Sequence, residues 1–149
     1  MYVKHLINKV LITLEVGNKT SLFILLAKDG NIHRKGNGNP DKNELPLLMG
    51  ISHQGHFDAL MMTLNEDIFQ YAGVINMPER VGNECRLTLI FQGPNEIDYS
   101  FRVVYGEQSD GPPRELAEIL INAVKITDGW YNEQLTPAKG ENKWWEVWK

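Results

Sequence analysis

Apolar residues recur along this chain with two different periods. Val10, Ile12, Leu14 and Val16 alternate with mostly polar neighbours, the pattern of a half-buried strand. Val3, Leu6, Ile7, Val10, Leu11 and Leu14 also offer helical spacing. The turn residues Gly17-Asn18 favour the strand, because they lead directly into a second apolar run, Ser21–Lys28. That run is nearly continuous in Leu, Phe and Ile, as in a central, well-buried strand. Asp29-Gly30 then predicts a tight hairpin turn into a short strand at Asn31–Lys35.

A glycine-bearing loop follows and runs to about residue 56. Phe57, Leu60, Met61, Leu64, Ile68 and Tyr71 step by three and four, which predicts one helix ending at Gly73. After a turn-rich stretch, Arg86–Gln92 and Ile97–Tyr105 predict a second hairpin across Gly93-Pro94-Asn95. Tyr99, Phe101, Val103 and Tyr105 share one face of it. Leu116, Ile119, Leu120, Ala123 and Thr127 form the inner stripe of a second helix. Asp110 is its candidate cap, Pro113 suits its start, and Asp128-Gly129 is its expected end.

The chain thus reads as two hairpin-plus-helix units, built around Leu22–Gly36 and Arg86–Gly106. Their loops share a Gly…Pro…Glu-Leu order: Gly36, Pro40, Glu44-Leu45, and Gly106, Pro112, Glu115-Leu116. The expected fold class is α+β: two layers, a mainly antiparallel sheet of about five strands, and two helices on one face. The other face is then a candidate open surface. Residues 1–135 form the expected domain, and 136–149 a Trp-rich tail packed on it or on a partner.

At 149 residues, one core of ordinary size suffices. Cys85 is the only cysteine, so no intrachain disulfide can form, which fits a reducing compartment. No secretion signal and no apolar run of membrane-spanning length is apparent; the expectation is a cytoplasmic protein without membrane contact. Charge is uneven. Residues 1–75 hold seven Lys/Arg and seven Asp/Glu, whereas 76–149 hold eight and twelve. A phosphate-backbone binder usually carries a basic stripe, so nucleic acid is disfavoured as a partner.

Three groups of residues could carry chemistry or recognition. His33-Arg34-Lys35-Gly36-Asn37-Gly38 could form an anion-binding turn, with Arg34 and Lys35 supplying charge to a backbone nest. It lacks the order of a phosphate-binding P-loop. His53 and His56, with Asp58 close by, have the donor types of a transition-metal or general-base site. No tetrahedral ligand set completes them, so no metal and no cofactor is expected. Ser52 beside them reads as a turn residue and not as a nucleophile, since no nucleophile elbow surrounds it.

The third group is Trp144, Trp145 and Trp148, three of the four tryptophans, in the last six residues. Tryptophan gives large contact area at low entropic cost and is enriched at binding hot spots. With no catalytic residues assigned, the favoured reading is a non-catalytic protein-binding or adaptor/inhibitor-type domain, acting on a protein partner or as a homodimer. The alternative is a small hydrolase-like or anion-binding protein using the His33–Asp58 region.

Overall fold

A computed structural model describes residues 4–38, 46–78, 81–95, 97–109 and 111–146; for Tyr71 and 136–146 it describes the backbone alone. The chain is α+β, with one seven-stranded sheet and two α-helices among the described residues. The strands are β1 (Lys9–Val16), β2 (Lys19–Ala27), β3 (Asn31–Gly36), β4 (Leu47–Ile51), β5 (Gly73–Asn76), β6 (Glu84–Gln92) and β7 (Asp98–Gly106). Helix α1 spans His56–Thr63 and α2 spans Arg114–Glu146. The sheet order is β4-β3-β2-β1-β6-β7-β5. Every pairing is antiparallel except β5 with β7.

The strand reading of 9–16 holds. β1 is the central strand, and the two expected hairpins flank it, β2–β3 on one side and β6–β7 on the other. Alternation explains the layer. Val10, Ile12, Leu14 and Val16 are buried, and their register partners Leu26, Ile24, Leu22, Phe91, Leu89, Leu87 and Cys85 are buried on the same face. That face joins Phe57, Leu60 and Met61 of α1 and Leu116, Ile119, Ala123, Trp130 and Tyr131 of α2 in one apolar cluster. Phe69 stacks edge-on against Phe91 and Tyr99, closing the layer near β6 and β7.

Five expectations need correction. The sheet has seven strands and not about five. The loop after β3 contains β4, which pairs with β3 from Asn31↔Ile51 to Lys35↔Leu47. The stretch around Gly73 contains β5, so Gly73 opens a strand where a helix end was expected. The helix expected over 57–73 is broken: α1 stops at Thr63, Leu64 is extended, and a 3-10 turn occupies Glu66–Tyr71. Asn65 causes the restart, because its side chain accepts a hydrogen bond from the Asp67 N–H at 2.9 Å. The last correction concerns α2, which runs through Asp128-Gly129 to Glu146. One exposed glycine costs a helix only about 1 kcal/mol, and burial of the adjacent Trp130 and Tyr131 outweighs that. The proposed cap Asp110 lies outside the described residues.

Candidate functional site: the open sheet face

The residues facing away from the helices form a second surface. Across the sheet at one level run Met49, His33, Leu25, Leu11, Ile90 and Ser100. The next level runs Leu47, Lys35, Phe23, Thr13, Thr88, Arg102 and Val74. No described element covers these rows. Leu11, Phe23, Leu25 and Ile90 are half-buried by their strand neighbours alone, and at the sheet margins Met49 is 65% and Val74 67% exposed. The sequence makes this face because strand neighbours point to opposite sides, and β1, β2 and β6 carry apolar residues on both.

Arg34 and Lys35 are separated by the same alternation. Lys35 stands on the open face, whereas Arg34 points into the helix layer and is 1% exposed. Its guanidinium donates to Gly36 O at 3.1 Å, Val124 O at 3.2 Å, Thr127 Oγ1 at 3.1 Å and Asp128 Oδ1 at 2.5 Å. The Tyr131 ring lies 4.8 Å from its central carbon, a cation–π contact. The Tyr131 hydroxyl donates to Pro46 O at 2.7 Å and accepts from the Gly36 N–H at 3.2 Å. Gly36 has φ +76°, and a Cβ there would sit 2.3 Å from Ser21 O. Arg34 thus fastens β3 to α2, and the two cations do not converge on one anion.

His53 and His56 do come near each other. Both line a pocket of about 190 Å³ between the β2–β3 turn and the approach to α1, together with Asp29, Ser52 and Asp58. The Asp29 carboxyl is held below its usual range by hydrogen bonds from the Asn31 backbone and side chain. Ser52 Oγ accepts from the Gln54 N–H at 3.2 Å, a turn contact. Among the described residues no group of three or more His, Cys, Asp and Glu could hold a metal ion. Nor do Arg34 and Lys35 line this pocket.

His56 begins α1 against α2, and its Nε2 is buried without a hydrogen-bond partner. Burial pushes its pKa below the ordinary 6.5, while the Ile126 carbonyl opposes the shift. The unfolded chain therefore takes up this proton at higher pH than the folded one. The stability His56 contributes is complete above about pH 6.5, falls as pH drops below it, and levels off below the folded pKa. Thermal melts from about pH 8 to about pH 5 should show this decline, and it should be shallower in His56→Gln. Equal slopes in the two proteins would remove His56 as the cause.

Cys85 is buried on the helix side opposite Tyr105. Burial, then the charge of Glu107, pushes its thiol up, and burial pushes Tyr105 up to about 12. Both stay protonated at neutral pH, so Cys85 is a packing residue.

Of the tryptophan group, Trp144 and Trp145 fall within α2, where only the backbone is described, and Trp148 lies outside the described residues. No helix among the described residues is long and apolar enough to cross a membrane. The fold and this surface define an α+β domain in which the described residues cover one sheet face and leave the other uncovered. No family model and no curated protein matches the chain.

Proposed function

We propose that this protein is a non-catalytic protein-binding domain whose contact surface is the open face of its sheet. The observation that carries this reading is the apolar band Leu25–Leu11–Ile90 with Phe23 beside it, and Met49 and Leu47 beyond His33 and Lys35, left bare by every described element. Contiguous exposed apolar surface of a few hundred Å² is the ordinary mark of an interaction site. The polar groups around it (Lys9, Glu15, Arg86, Arg102) form the rim that such sites carry, while Lys35 interrupts it on β3.

The test is a single charge at the centre of the band. Leu25→Glu places a carboxylate on the open side of β2, where water can still solvate it. Its far-UV circular dichroism and melting temperature should stay close to wild type. Immobilised wild type should retain a protein, foreign or a second copy, that Leu25→Glu loses. Identical retention by both proteins would refute the open face as a contact surface.

A further inference from the structure

We infer that the occupant of the open face is a second copy of this chain, packed face to face about a two-fold axis that runs midway between the two sheets, parallel to both, and at right angles to β1. The inference rests on the protein-binding reading above and names the partner. Its ground is the distribution of charge and apolar residues on that face.

Lys9 and Glu15 stand near the two ends of β1, both on the open side. Leu11 and Thr13 lie between them. A two-fold at the level of Ile12 places Lys9 of each copy against Glu15 of the other. The register then determines the remaining encounters. Leu11 meets Thr13 of the second copy, Phe23 on β2 meets Leu25, Lys35 on β3 meets His33, and Leu47 on β4 meets Met49. Ile90 on β6 meets Thr88, and Arg102 on β7 meets Ser100, next to Asp98. Apolar residues fall on apolar ones along β2 and β4, and the oppositely charged ends of β1 face each other twice.

The other axis between the sheets, running parallel to β1, is disfavoured. It exchanges β3 with β7 and sets Lys35 against Arg102, like charge on like charge, at the same level. The favoured axis brings the strands of the two copies nearly antiparallel, which is the aligned packing of a β-sandwich.

Size agrees with a reversible dimer. Six strand spacings of about 4.8 Å give a width of about 29 Å, and six residues of β1 give a length of about 20 Å. Two such faces bury about 1,200 Å² in all, the lower edge of stable specific interfaces.

Sedimentation equilibrium of the purified full chain, from about 1 to about 100 µM, tests this over the range of a small interface. Wild type should pass from monomer to dimer, and Leu25→Glu should remain monomeric. Lys9→Glu and Glu15→Lys should each weaken the dimer about tenfold, because two symmetric contacts turn repulsive. The double variant Lys9→Glu/Glu15→Lys should recover wild-type association. Wild type that is monomeric throughout overturns the inference, even where Leu25-dependent retention of a foreign protein upholds the broader reading. A dimer that the charge exchange fails to restore overturns this arrangement of the copies. Circular dichroism of each variant separates loss of association from loss of fold.

Discussion

Asp128→Ala lowers stability by about 3 kcal/mol, because it strands the Arg34 guanidinium in the helix layer with neutral acceptors only. Arg34 is 1% exposed and reaches Asp128 Oδ1 at 2.5 Å; the Asp128 side chain itself is 48% exposed. That asymmetry places the effect near the low end for a broken buried pair, since the aspartate is partly solvated. It also ranks the variants. Arg34→Met removes the buried charge and fills most of its volume, while the remaining carboxylate turns to water. Its cost stays below about 2 kcal/mol, from lost hydrogen bonds to Gly36, Val124 and Thr127. The double variant Arg34→Met/Asp128→Ala therefore regains much of what Asp128→Ala loses. For a chain of this size, about 3 kcal/mol is a fall of about 6–12 °C in melting temperature. Chemical denaturation of the three variants measures the ranking. An Asp128→Ala protein as stable as wild type would show that the neutral acceptors alone satisfy Arg34.

Trp130→Ala costs about 3–5 kcal/mol, the range for deleting a buried aromatic side chain. Trp130 is 5% exposed and lies over β4, with its Cζ2 atom 3.1 Å from where a Cβ on Gly50 would sit. The contact joins the outermost hairpin-side strand to the second half of α2. It predicts coupling between the two sites. Gly50→Ala crowds the indole in wild type and finds open space in Trp130→Ala. It should therefore be more favourable in the variant background by about 1 kcal/mol, which a double-mutant cycle measures. Additive effects would mean that the indole does not press on β4.

These two contacts show where sequence reasoning stops. A helix end at Asp128-Gly129 is a sound local expectation, since glycine is a weak helix former and common just past helix ends. The helix continues because Trp130 covers β4 and Tyr131 packs on Arg34 and Gly36 of β3. β4 was itself hard to see. Leu47–Ile51 is five residues long, follows Pro46 and contains Gly50, so it reads as a pinned loop. β5 has four residues and pairs in parallel with a strand that comes later in the chain, which no local pattern encodes.

Arg34 is a different case. Period two from Ile32 puts Arg34 inward and Lys35 outward, and that signal was present in the sequence. It was obscured because His33-Arg34-Lys35 looks uniformly polar, and a polar triplet beside glycines suggests a solvated turn. His53 and His56, three residues apart in the chain, do share a pocket. The His56 contact with α2 comes from an element seventy residues away in the chain.

Alternating and three-four spacing together with the turn residues determined the central strand, both hairpins and the inner stripe of the second helix, because those periods decide which side of an element can leave water and the turns decide where it ends. Tertiary structure decided the outer strands β4 and β5, the length of α2, the burial of Arg34 and which sheet face the described elements leave uncovered. Each of these depends on which distant segment arrives alongside, and a local pattern of polar and apolar residues carries no record of its neighbours in space.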